Sequence, residues 1–219
     1  MPPFPRSFGT PVQVRPAHCR AELGEFARWH HLAGVPNARR AGHNLVQIGD
    51  AGILATGLSR GYARSVHNIT GAARNVPTVL AARTMALVAV ADGHPIGGLS
   101  AGPSFRICAQ LAVFGHTAVM QAAFATIKIH ALAVLPGYTR LGVGSALLRH
   151  ALTTARHAGA QIVYGQFASS SMGLTQFYRH CGMDLADPGA PLALHGVIDS
   201  PAVVAAGPGE TVFHQVVNQ

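Results

Sequence analysis

Residues 130–158, HALAVLPGYTRLGVGSALLRHALTTARHA, restrict the fold more than any other part of the chain. An apolar run stops at Pro136-Gly137, a turn with two glycines follows, and a helical pattern begins. Leu147, Leu148, Ala151, Leu152 and Ala155 recur at helical spacing and predict one buried stripe, with Gly159 as the C-terminal stop. A strand–turn–helix of this kind gathers the free N–H groups of the helix's first turn at one point, and such a point attracts phosphate-like anions. The turn Thr139-Arg140-Leu141-Gly142-Val143-Gly144-Ser145 has glycines where a ligand would approach the backbone. No G-K-[ST] follows, so it is not a P-loop. A third glycine and an acidic residue roughly 20 positions on are also missing, which argues against a dinucleotide fingerprint.

The charge balance points the same way. Sixteen basic residues face eight acidic ones, and every basic residue except Lys128 is arginine, which grips phosphate and carboxylate bidentately. An anionic ligand is favoured, whether nucleotide cofactor, acidic substrate or RNA. No sequence cluster of carboxylates suits a polycationic substrate. Mean hydropathy is +0.28, but no run approaches the ~18 apolar residues of a membrane span, and the N-terminus lacks a secretory pattern. A cytoplasmic protein with no membrane partner is expected. Cys19, Cys108 and Cys181 form no C-x-x-C, and His30-His31 has no partner at ligand spacing. Neither a disulfide framework nor a metal site is expected.

The 219 residues suit a single domain. Proline-rich residues 1–11 read as a flexible arm, and glycine- and arginine-rich 37–77 as an insertion or a substrate-side layer. A first strand is predicted at 12–15, then a helix over 17–33 with Leu23, Phe26, Ala27 and His30 on one face. Residues 83–91 and 95–101 read as strands joined by an Asp92-Gly93 hairpin. A helical insertion is predicted at 104–118. Residues 124–135 alternate, placing Thr126, Lys128, His130, Leu132 and Val134 on one face and Ile127, Ile129, Ala131, Ala133 and Leu135 on the other. A strand at 161–167, an N-cap at Ser169–Ser171, a helix at 172–180 and short strands at 192–198 and 211–217 complete the reading.

The segment LAVLPGYTRLGVGSALL, the strand IVYGQF and then GLTQFYRHCGM together resemble the GNAT N-acetyltransferase superfamily over about residues 84–185, most strongly over 130–183. The first segment resembles its acetyl-CoA pyrophosphate loop, Q/R-x-x-G-x-G/A. The last resembles its N-x-x-A-x-x-F-Y-x-x-x-G-F helix. Thr139 stands where the loop's opening Gln or Arg is usual, with Arg140 one place later; Ser171 replaces the Asn, Leu174 the Ala and Met183 the closing Phe. The resemblance implies an α+β fold: a central mixed, mostly antiparallel sheet, splayed at its middle and flanked by helices. It implies acetyl-CoA as acyl donor, held by Thr139, Arg140, Leu141, Gly142, Val143, Gly144 and Ser145 at its pyrophosphate. Leu132, Ala133 and Val134 would hold its pantetheine arm, with Ser171 nearby.

On the same resemblance Tyr178 occupies the general-acid position. His130 is the candidate base, since its ordinary pKa is near neutral and it precedes the strand end by two residues. Glu22 or Glu25 on the first helix, or a water chain, are alternatives, and Lys128 could bind an acidic substrate. The expected activity is direct acyl transfer to a primary amine of a small molecule. The alternatives are acylation of aminoacyl-tRNA or a protein amine, and a non-catalytic acyl-CoA-binding module. Nucleic acid is the less favoured partner, because the arginines are scattered; a homodimer is compatible with the sequence.

Overall fold

The computed structural model describes residues 11–59, 76–198 and 201–218. Most of the expected arm, and residues 60–75 of the expected insertion, lie outside the described residues. The apolar run Met85–Ala91 forms β2, and His94–Gly102 returns beside it as β3. Asp92 (φ 49°) and Gly93 (φ 77°) are both left-handed, as a tight two-residue hairpin requires. β1 (Gln13–Pro16) flanks β2; β4 (Thr126–Val134) flanks β3. β5 (Ile162–Ala168), β6 (Asp184–Leu185) and β9 (Glu210–Val216) complete a seven-stranded sheet in the order β1-β2-β3-β4-β5-β9-β6. Only β4 and β5 run parallel. Leu192–Ala193 (β7) and Val203–Val204 (β8) pair separately. The longer strand expected at 192–198 is cut short because the chain turns at Leu194, whose carbonyl accepts from Val197 and Ile198.

Helices cover both faces. On one lies α7 (Val143–His157), whose Leu147, Leu148, Ala151 and Ala155 pack on Leu99, Ile127, Val163 and Phe213. On the other, α1 (Arg20–Gly24), α2 (Phe26–Leu32) and α3 (Ala38–Asp50) cover β2–β4. The expected 17–33 helix is thus two pieces, broken where Gly24 weakens the helix. Trp29 is fully buried over Gly98, where a Cβ would meet the indole at 2.5 Å, so only glycine admits the ring there. Further along the same face, α4 (Val76–Ala82), α5 (Phe105–Leu111) and α6 (His116–Ala125) cover β5 and β9. α6 runs through Phe124, so β4 begins at Thr126 rather than Phe124. α8 (Met172–His180) follows β5.

One departure reshapes the site. Ser100 pairs with Ala131 but Ala101 pairs with Ile129, so His130 is an extra residue, a β-bulge on β4. The bulge reverses the alternation. Ile127 and Ile129 belong to the α7-side core and Leu132 and Val134 pack against that same core, while Ala133 joins the Trp29 cluster. Leu132 and Val134 therefore do not share a face with Lys128 as strict alternation predicted.

Candidate functional site

The turn after β4 builds a donor cradle. Pro136–Tyr138 makes one 3₁₀ turn, after which Arg140 (φ 63°) and Gly142 (φ 79°) both adopt left-handed backbone. Glycine takes that conformation freely, whereas a branched side chain would strain it. The chain then enters α7, whose first turn-closing bond runs from the Ala146 N–H to the Gly142 carbonyl at 2.9 Å. The N–H groups of Val143, Gly144 and Ser145 precede that bond and face outward at the positive end of the helix.

Beside this cradle the sheet opens. β4 and β5 pair only through Thr126–Ile162, Ile127–Val163 and Lys128–Tyr164. Beyond Lys128, β4 continues to Val134 bonded to β3 alone, which leaves alternate backbone groups of its other edge without a strand partner. The resulting cleft holds about 660 Å³ and is lined by Leu132, Ala133, Val134, Thr139, Arg140, Gly142, Gly144 and Ser145. These eight predicted residues converge on one surface. Val143 is instead buried in the core and Leu141 packs against it, so only their backbone groups are left to face the cleft. Ser171 lies outside the cleft wall; its N–H donates to the Ala168 carbonyl at 2.9 Å, and its side chain caps nothing.

Leu32, Pro136, Gly173, Leu174 and Phe177 also line the cleft and were missed. Phe177 sits closely on Gly144, where a Cβ would meet its ring at 3.3 Å. A cue existed in the FY pair of α8, but the family pattern draws attention to the tyrosine. Tyr178 is buried on the other side of α8. It stacks on Phe213 at 3.7 Å between centroids and on Phe167 at 5.4 Å. Burial, and secondarily the Cys181 thiol, push its phenol well above the ordinary range, so it stays protonated.

His130 lies just before Leu132, on the bulge. Its side chain is exposed at the surface, although protein atoms crowd around the ring. Desolvation, then the Lys128 charge and then His30, push the imidazole down to about 4, so it is neutral at neutral pH. His30 is buried on α2, holding Ser100 Oγ at 2.8 Å, and burial lowers its pKa also. Glu22 is committed to an ion pair: Arg15 grips both its oxygens at 2.6 and 2.9 Å and holds its carboxyl below the usual range. Glu25 stands at the α1–α2 junction, 3.8 Å from Arg28.

The Lys128 ammonium donates to Gln166 Oε1 at 2.9 Å, from the last paired position of β4 to the diverging part of β5. Gln166 is fixed in turn, its Nε2 donating to the Ala205 carbonyl at 2.8 Å and reaching Glu210 at 3.4 Å. Desolvation lowers the Lys128 pKa; Glu210 opposes this and Arg106 adds to it. Among the described residues no helix is long and apolar enough to cross a membrane.

Comparisons with known proteins agree with this architecture. An acetyltransferase of the GNAT family from Streptococcus pneumoniae superposes with a TM-score of 0.56 at 10% identity, covering 95% of this chain and all of that one. The Salmonella typhimurium protein YncA, solved with its cofactor acetyl-CoA, gives 0.57 at 14% identity over 96% of each chain. Ard1 from Thermoplasma volcanium gives 0.51 at 14% identity, over 95% of this chain and 99% of its own. No curated protein sequence matches. At these identities the likeness is one of fold. The sequence profile of the Acetyltransferase (GNAT) family, however, matches residues 61–183, more than half of the 219. With its splayed sheet and its N–H cradle, this chain belongs to the GNAT acetyltransferase family.

Proposed function

We propose that this chain transfers the acyl group of acetyl-CoA directly to a primary amine of a small molecule. The observation that carries the reading is that a helix-start N–H cradle and an unpaired strand edge meet in one cleft. The donor set fits the cofactor. A pyrophosphate needs clustered N–H groups, which Val143, Gly144 and Ser145 offer, with Arg140 exposed beside them. An amide-rich pantetheine arm needs alternating backbone partners, which the open edge of Leu132–Val134 offers. Acetyl-CoA supplies an activated thioester.

The protein's own residues then handle position and protons. The β4 edge at the bulge would direct a backbone N–H at developing oxyanion charge. His130 is neutral at neutral pH but, lowered to about 4, is a weak base, so it would relay the attacking amine's proton to water rather than hold it. Tyr178 is the proposed donor to the departing sulfur, since burial keeps its phenol protonated. Coenzyme A release should be measured over an amine panel, with Gly142→Val as the control that removes donor binding. Steady turnover that Gly142→Val abolishes is the expected result. Tight coenzyme A binding without turnover on any amine would instead favour a non-catalytic acyl-CoA-binding module. Salt-sensitive tRNA binding with aminoacyl-tRNA turnover would shift the acceptor.

A further inference from the structure

We infer that the acceptor amine also carries a carboxylate, or an equivalent anion, and that the Lys128 ammonium binds it where β4 and β5 part. This rests on the acyl-transfer reading. Lys128 is the chain's single lysine among sixteen basic residues, and it is set in the central strand rather than on a solvated surface. A partly buried ammonium costs free energy unless it is paired. Yet none of the ion pairs among the described residues includes Lys128. Among the described residues its one hydrogen-bond partner is the neutral Gln166 amide, so the fold offers an acceptor to one of its three protons and a counter-charge to none.

The local charge does not cancel. Arg106 stands near enough to act on Lys128, and the one opposing carboxylate among the described residues, Glu210, is already engaged by the Gly207 N–H at 2.8 Å. Two cations therefore face one committed anion. Gln166, anchored to the Ala205 carbonyl, holds the ammonium at the mouth of the splay. Lys128 stands two residues before the bulged His130, about 7 Å along a strand that rises ~3.3 Å per residue. That span suits an acceptor of amino-acid size, its amine toward His130 and its carboxylate on Lys128.

The test uses the full chain with acetyl-CoA, comparing the twenty standard L-amino acids, each against its primary amide, in a thiol-release assay. For the best acceptor, kcat/KM for the acid should exceed that for the amide by at least about 30-fold, since the amide leaves the ammonium unpaired. Lys128→Met should bring that ratio below about threefold, and Lys128→Arg should restore at least about tenfold, with acetyl-CoA affinity unchanged in both. Equal rates on acid and amide in the wild type, or an unchanged ratio in Lys128→Met, would overturn the proposal. If no amine is turned over, the transfer reading fails separately. Calorimetry of N-acetylglycine against N-acetylglycinamide on the coenzyme A-loaded protein then decides: binding of the acid alone, lost in Lys128→Met, supports the carboxylate site, and equal binding of the two probes refutes it.

Discussion

Arg83 and Lys128 are both drawn away from solvent, and the protein treats them in opposite ways. Arg83, at the end of α4, is fully buried. Its Nε donates to the Ala123 carbonyl at 2.9 Å, its Nη2 to Phe124 at 2.8 Å, its Nη1 to Gly57 at 3.1 Å, and both Nη atoms to Ala158 at 3.4 Å. The guanidinium also lies over the Phe124 ring at 4.7 Å. Three of those carbonyls belong to the C-terminal ends of α6 and α7, where the helix dipole places partial negative charge. Among the described residues Lys128 has a single amide. Arg83 is completed by the fold, and its planar fork suits several carbonyls at once. Lys128 is left incomplete at the point where the sheet opens. Burial of a charge alone thus says little about its role; how many of its donors the protein itself satisfies says much more.

The largest effect that could break this contrast is on stability. Arg83→Met should cost about 3–5 kcal/mol in urea unfolding, because it strips buried carbonyls of three segments of their donors. A loss below about 1 kcal/mol would remove Arg83 from its structural role. At the open end the effect should move from stability to binding. Gly142→Val should weaken acetyl-CoA binding by roughly 100-fold in calorimetry. The cause is the left-handed backbone and the ligand's close approach, since the protein itself leaves room for a Cβ there. Retained affinity would displace the cradle.

Tyr178→Phe should lower kcat at least about tenfold with acetyl-CoA affinity intact. An unchanged kcat would assign the ring solely to its stack with Phe167 and Phe213. A smaller effect concerns pH. His130 titrates at about 4 in the folded protein, below the ordinary histidine value, so the unfolded chain takes up that proton first as pH falls. Its contribution to stability is whole above about pH 6.5 and is lost as pH falls toward about 4. His130→Ala should flatten that part of the stability–pH curve, and no flattening would contradict the assignment. The smallest effect should be Lys128→Met on stability, within about 1 kcal/mol of wild type, since the charge it removes is incompletely paired.

Much of the site was legible because it depends on short-range rules. Pro136-Gly137, the glycines at 142 and 144 and the helical stripe from Leu147 each act within a few residues, and they located the cleft wall from Leu132 to Ser145. The hairpin at Asp92-Gly93 was readable for the same reason. What escaped depends on partners distant in sequence. The bulge at His130 exists only through pairing with β3, and nothing in an alternating string marks the residue that will be left over. Arg83 bonds carbonyls up to 75 positions away. The preference for Phe177 over Tyr178 at the cleft is set by how α8 turns against Gly144 and Phe213. Gln166 gains its importance only when β5 diverges from β4.

The seating of Trp29 on Gly98 has a practical consequence. It is the chain's single tryptophan, fully buried between α2 and the sheet, with no hydrogen-bond partner for its Nε1 among the described residues. An indole in such apolar surroundings emits at short wavelength and shifts red once water reaches it. The protein therefore carries an intrinsic optical gauge at one seam. Its fluorescence reports separation of the N-terminal helices from β3, and comparing that trace with far-ultraviolet dichroism separates loosening of this layer from melting of the whole sheet.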